Sequence, residues 1–459
     1  MMPGARIQAA IELLQEIHGG TAPADRAAAA YFRNRRYIGG KDRRDVLDHA
    51  YGVLRRRAAL DWWIAHSGVA TQNTERARVI AKLLLIDGWT ADRTAGSFDG
   101  GQYRPTQLDV NEKRLVKALA GQQLNPPDQP AAARLEYPVW IETQLQEVFG
   151  DRLDTEMAAT LDEAATDLRV NALKATRDQA IKALADDGVE ASPTALSPLG
   201  LRVKSRPPLA TLNSFKSGMI EVQDEGSQLV ALLADAKPGM RVVDFCAGAG
   251  GKTLALAAQM QNKGKLVACD VLQGRVDRAA TRLNRAGVYN VERLGLSSER
   301  DPWVKRHAGG FDRVLVDAPC SGTGTWRRNP DARWRLKPGD IEELSALQRR
   351  ILESAARLVK PGGRMIYATC SLLPAENADH LSWIAENLPD FELIPLSQVW
   401  RETIGGDCPV AGETLSLTPA RNGTDGFFTA VFQRRKTATD DKPDGDKPDD
   451  DKTGAGAAA

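Results

Sequence analysis

Two cysteines stand at equivalent places in this chain: Cys320 in VLVDAPCSGTG and Cys370 in MIYATCSLLPAEN. Each follows a short apolar run that reads as a buried strand. Each therefore falls where a parallel α/β sheet opens at its carboxyl edge, the place where such sheets bind ligands. Upstream, VVDFCAGAGGKT sets a glycine-rich turn after another such strand. A nucleotide-type cofactor site and two thiols at one sheet edge point to covalent catalysis on a substrate that also meets the cofactor.

The turn admits several readings. Gly248, Gly250 and Gly251 let backbone approach a ligand closely, and a helix starting near Lys252 offers its unpaired N–H groups. A phosphate-binding P-loop needs glycine five residues before the Gly251–Lys252 pair, where Cys246 stands. The dinucleotide fingerprint fails at its third glycine, replaced by Thr253. The spacing Asp244 to Gly248 to Gly250 instead resembles motif I of S-adenosylmethionine-dependent methyltransferases. Asp270 ends the next strand, where an acid accepts hydrogen bonds from ribose hydroxyls. The plain alternative is a ligand-free tight turn, with Asp270 capping the following helix.

The elements that must position these residues follow from the pattern. The strand candidates MRVVDFC, GKLVACD, FDRVLVDA and GGRMIYATCS alternate with helices such as KTLALAAQMQ and IEELSALQRRILESAARLV. This rhythm predicts a doubly wound Rossmann-like sheet over 216–436, with GTDGFFTAVFQRR as an extra strand. Residues 134–215 mix helix (VWIETQLQEVFG) with short strands (LRVNALK, LGLRVKS), which suggests a small α+β module. Residues 1–125 read as all-helical, and the prolines of NPPDQPAAA mark a linker. Residues 437–459 lack apolar anchors and read as a disordered acidic tail.

Composition narrows the class. The 459 residues carry a net +1; the tail after Lys436 has seven Asp and three Lys, which leaves +5 on residues 1–436. That bias is too mild to prove a nucleic-acid partner. The five cysteines form no CxxC pair, and the five histidines form no HExxH, so neither a disulfide framework nor metal catalysis is expected. The start MMPGARIQAA has no signal-peptide core and no run approaches a membrane span. The expectation is a reduced, cytoplasmic, monomeric protein without metal.

Two thiols suit one problem in particular. Carbon 5 of cytosine is a poor nucleophile because it belongs to an aromatic ring. A thiolate added to carbon 6 breaks the aromaticity and leaves an enamine, whose carbon 5 attacks a sulfonium methyl. A base must then remove the hydrogen from carbon 5 so that the thiol leaves. Cys269 and Cys408 read as apolar filler. Pro319 stiffens the turn before Cys320, Thr369 and Ser371 flank Cys370, and Asp317 is a candidate to bond the pyrimidine edge.

The blocks LRVNALKATR, IEVQDEGSQL, VVDFCAGAGGKT, VDAPCSGTGTWRRNPDARWR, LVKPGGRMIYATCSLLPAEN and DGFFTAVF together resemble the Nol–Nop–Sun (RsmB-type) family of RNA cytosine-C5 methyltransferases. The resemblance spans 134–436. It implies Cys370 as nucleophile and Cys320 as the thiol assisting product release. It implies a cofactor set of Cys246, Ala247, Gly248, Ala249, Gly250, Gly251, Lys252, Asp270, Arg275 and Asp317, with Asp317 also serving catalysis. The family usually has an acid after the third strand, near adenine. Here VERLGLSSERD puts Ser297 or Ser298 at that place.

The N-terminal region, with YIGGKDRRDVLDHAYGVLRRR, resembles more loosely the NusB-like domain that precedes RsmB-type cores. In the functional reading its arginines grip phosphates, as do Arg327 and Arg328 after the PCSG loop. In the plain reading they are a solvated face paired with Asp42, Asp45 and Asp48. Tyr31, Phe32 and Tyr37 read as core more than as base-stacking residues. The resemblance to RsmB-type proteins implies 16S ribosomal RNA as substrate. Transfer RNA is the rival in the same class, and a non-catalytic RNA-binding assembly factor the rival in another. A methyltransferase of proteins or small molecules is the third, which the second thiol and the helical domain argue against.

Overall fold

The computed structural model describes residues 1–71, 73–204 and 207–436. The expected acidic tail lies outside the described residues.

Seven helices between Pro3 and Leu119 bury alanine, leucine and valine around one core. The helix Thr74–Leu85 is buried from Glu75 onward at the centre of this bundle. It carries four ionic residues inward, and each finds a partner there. Arg76 bonds Glu112, Arg78 bonds Asp61 and Glu75, and Lys82 bonds Asp87. Such pairing is what makes buried charge tolerable. Tyr31 and Phe32 are core residues as the sequence suggests, whereas Tyr37 is exposed.

A small antiparallel sheet follows. Its strands are β1 (Thr166–Val170), β2 (Ala191–Pro193), β3 (Gly200–Val203) and β4 (Ile220–Val222), in the order β2-β3-β1-β4. The helix Arg177–Asp186 packs on it behind a Thr176–Gln179 capping box. The edge strand β4 lies beyond the boundary expected at 215, because three residues are too few to show alternation. The preceding stretch, Ala132 to Met157, packs on Trp326, Ile341, Leu372 and Leu373 rather than on this sheet.

The large sheet holds β5 (Arg241–Asp244), β6 (Lys265–Asp270), β7 (Val291–Gly295), β8 (Phe311–Asp317) and β9 (Val359–Thr369). It also holds β10 (Phe391–Ile394), β11 (Leu415–Leu417) and β12 (Phe427–Arg434). The order is β10-β12-β9-β8-β5-β6-β7, with β11 on β12. Strands β5 to β9 are parallel; β12 runs antiparallel to its neighbours β9 and β10 at one side. The centres of β5, β6, β8 and β9 are apolar and fully buried because helices cover both faces, whereas the edge strand β7 exposes Glu292 and Arg293. The chain leaves β5 toward β6 and β7, then returns to the other side of β5 as β8. That reversal opens a crevice at the carboxyl ends of β5 and β8.

The segment 326–335 joins the parts. Arg333 is fully buried and donates to the carbonyls of Glu136 and Thr160. Asp331 accepts the N–H of Ala24, and Trp334 donates to the carbonyl of Leu54. The Glu136 carboxylate accepts the N–H groups of Ala58 and Ala59, at the start of helix Arg57–His66. An acid there meets the positive end of the helix dipole.

Candidate active site

The turn after β5 is built by two acids that end neighbouring strands. Asp244 accepts the Thr253 hydroxyl at 2.7 Å, which ties the strand to the helix Gly251–Gln259. Burial pushes the Asp244 carboxyl up to about 7, and its Oδ1 has no protein partner. Asp270 accepts the N–H of Gly248 at 3.0 Å and of Leu272 at 2.8 Å, so the β6 terminus holds the β5 turn. Gly248 and Gly250 have φ of +55° and +81°, the left-handed region in which glycine is unstrained. A Cβ on Gly250 would come within 2.9 Å of the Ala279 Cβ, whereas one on Gly248 would meet no atom within 4 Å.

A cavity of about 630 Å³ opens over this turn. Every member of the expected cofactor set except Gly250 lines it; Gly250 instead faces the helix Gln273–Ala286. Phe245, Val271, Leu296, Leu347 and Ile351 give it an apolar wall. Apolar surface for a base, a strand-end carboxylate for a ribose diol and room above Gly248 fit an adenosyl sulfonium. Ser297 and Ser298 do not line the cavity. Ser297 gives its N–H and hydroxyl to Asp301, which caps the next short helix. The acid of this loop on the cavity is Glu299, paired with Arg350 at 2.9 Å.

Lys252 and Asp317 face each other from the helix start and the β8 end, with Nζ to Oδ2 at 2.8 Å. Burial pulls the Lys252 ammonium down, but the Asp317 carboxylate and its hydrogen bond outweigh that and leave it above its ordinary value. The Cys370 thiol is also within electrostatic reach of this ammonium. Cys370 and Cys320 themselves lie at the ends of β9 and β8, with Sγ atoms 3.4 Å apart. The hydrogen bond with Cys370, reinforced by burial, pushes the Cys320 thiol well up. Cys320 opens on a second groove that shares Leu347 with the cofactor cavity. Cys246 is held protonated by burial, and Cys269 is core filler as expected. Cys408 is half-buried.

Two expected phosphate contacts have different surroundings. Arg327 and Arg328 both pair with Asp425 and Asp224, and the Arg327 side chain is 8% exposed. Arg55 donates to the carbonyl of Arg327 at 2.8 Å. Arg327 is thus a buried tie between the helical bundle, the segment before β12 and the start of helix Glu225–Leu232. A guanidinium so enclosed is not presented to a phosphate. Arg328 is partly exposed and lines both the cofactor cavity and the cleft below the helical bundle.

Comparison with known proteins now bears on this geometry. Residues 231–433 match the family described as 16S rRNA methyltransferase RsmB/F, and residues 137–210 match its ferredoxin-like domain. The probable ribosomal RNA small subunit methyltransferase B of Synechocystis is 30% identical over 86% of this chain and 91% of its own. This chain belongs to the RsmB/F methyltransferase family. The ribosomal RNA small subunit methyltransferase B of Photorhabdus laumondii is 29% identical over 87% of this chain and 92% of its own. The crystal structure of PH0851 superposes with a TM-score of 0.77 at 29% identity, over 95% of this chain and 99% of that one. As in the family, the cofactor is S-adenosylmethionine. No helix among the described residues is long and apolar enough to cross a membrane.

Proposed function

We propose that this protein methylates carbon 5 of a cytosine in small-subunit ribosomal RNA through a covalent bond to Cys370. The observation that carries this is the pair of strand-end thiols, 3.4 Å apart, at the sheet edge that also holds Lys252 and Asp317. The ribosomal substrate rests on the names of the relatives, which align along most of their length.

The cofactor supplies an electrophilic sulfonium methyl when bound. Gly248 and the helix start would give it room, and Asp270 would accept hydrogen bonds from its ribose hydroxyls. The Lys252 ammonium stabilises charge on the Cys370 sulfur as the thiolate adds to carbon 6. Asp317 orients the pyrimidine edge. After carbon 5 carries the methyl group, water takes its proton, the freed electron pair restores the 5,6 double bond, and the Cys370–carbon bond breaks with the sulfur leaving as a thiolate. Cys320, protonated and beside the leaving sulfur, assists that release. The helical bundle, NusB-like in pattern, and the small sheet hold the RNA, with Arg328 on the path between cleft and cavity. An exposed loop or immature RNA is the fitting substrate, because the target base must leave its stack.

The test is Cys370→Ala with small-subunit RNA as acceptor. Transfer is lost while calorimetry still detects cofactor binding. Normal turnover by the variant would refute the assigned nucleophile.

A further inference from the structure

Glu376 is a fully buried acid that the two-thiol chemistry does not itself require. It ends the short turn Pro374–Glu376, six residues beyond Cys370. Its Oε1 accepts the Ser321 N–H at 2.8 Å and the Gln348 amide at 3.0 Å. Its Oε2 accepts the hydroxyls of Ser321 and Ser371. Ser321 follows Cys320, and Ser371 follows Cys370. One carboxylate thus grips the residue next to each thiol. Four donors on two oxygens explain how a carboxylate stays buried here.

Gln348 completes the grip from the helix Pro338–Leu358. Besides Glu376, its amide donates to the carbonyl of Pro319 at 2.9 Å. Cys320 is therefore held from both sides, through Pro319 and Ser321. The Gln348 oxygen is fixed in turn by His380 at 2.8 Å and by Tyr367. The two loops also touch through Gly324 N–H to the Cys370 carbonyl and Leu372 N–H to the Thr323 hydroxyl. The Ser321 and Ser371 hydroxyls also lie 3.2 Å apart, and Glu376 is the group that binds both of them together with the Ser321 N–H.

We propose that Glu376 is a positioning residue that sets the separation of the two thiols by binding Ser321 and Ser371 at once. This rests on the two-thiol reading. Its action is on the step that needs both sulfurs, the release of Cys370 from the methylated base, rather than on binding of RNA or cofactor. Misplacement of a reacting group by about 1 Å costs on the order of a hundredfold in rate.

The test reads sulfur proximity without any methyl transfer. The full-length protein is treated with diamide, a diazene that takes up the two electrons and two protons released as Cys320 and Cys370 form a disulfide. The cross-linked peptide is followed by mass spectrometry. In the wild type the pair closes rapidly. Glu376→Ala slows closure by about tenfold or more and lowers kcat about 10- to 100-fold, with both KM values within about threefold. Glu376→Gln, which keeps an acceptor for the Ser321 N–H, restores most of both. Should Glu376→Ala fail to fold, Ser321→Ala provides the same reading, with closure about threefold slower or more. Wild-type closure rates in a folded Glu376→Ala or Ser321→Ala protein would overturn the proposal. The cross-link forms without RNA or methyl transfer, so this failure is distinct from a failure of the Cys370 nucleophile assignment.

Discussion

Two glycines of the β5 turn, two residues apart, should respond differently to the same methyl group. In Gly250→Ala the backbone must hold φ near +81°, and the new Cβ lies 2.9 Å from that of Ala279. The left-handed conformation costs about 1–2 kcal/mol for an L-residue. The contact with a buried helix residue adds about 1–3 kcal/mol of overpacking. At about 2–4 °C per kcal/mol, melting of the catalytic domain falls by about 4–20 °C. In Gly248→Ala the backbone strain is similar, but the Cβ meets nothing and enters the cofactor cavity. Melting then falls by only about 2–8 °C, while the dissociation constant for S-adenosylmethionine rises about tenfold or more, equivalent to about 1.4 kcal/mol. Differential scanning fluorimetry and isothermal titration calorimetry on both variants decide it. Equal melting losses, or unchanged cofactor affinity in Gly248→Ala, would refute the assignment of Gly250 to packing and Gly248 to the ligand.

Two further outcomes follow from buried and half-buried acids. Burial pushes the Glu136 carboxyl from 4.5 up to about 8. Its folded-state value is raised, so its contribution to stability is complete below about 4.5 and is lost as pH rises through 8. Thermal unfolding of the wild type should show this decline, and Glu136→Gln should flatten it; an unchanged profile would contradict the titration. Glu299→Ala should weaken cofactor binding about three- to tenfold by calorimetry, whereas Ser297→Ala and Ser298→Ala stay within about twofold. The reverse order would return adenine recognition to the serines.

The chemistry-bearing frame was legible because fully buried parallel strands read as apolar runs, each ended by the residue that matters. VVD, LVACD, VLVD and IYAT deliver Asp244, Asp270, Asp317 and Cys370 to one edge, and glycine spacing locates the turn between the first two. What escaped was set by partners distant in the chain. Arg327 and Arg328 follow the PCSG loop like residues aimed at substrate, yet Asp224 and Asp425, about a hundred residues away on either side, pair with both and leave Arg327 buried. Glu376 lay within the quoted PAEN stretch, but an acid in a polar turn reads as exposed until Ser321 and Ser371 fold around it. The three-residue strands β4 and β11 carry too little pattern to be seen, and their place is fixed by the sheets they join. The shift from Ser297 and Ser298 to Glu299 depends on a loop whose turn geometry is set by Asp301.

The most direct measurement uses Cys320→Ala with small-subunit RNA and S-adenosylmethionine, followed by denaturing electrophoresis and sequencing of any RNA that stays bound. With release impaired, the account predicts a covalent protein–RNA band joined through Cys370 to carbon 6 of one cytosine, absent from Cys320→Ala/Cys370→Ala. Undiminished turnover by Cys320→Ala with no covalent band would contradict it.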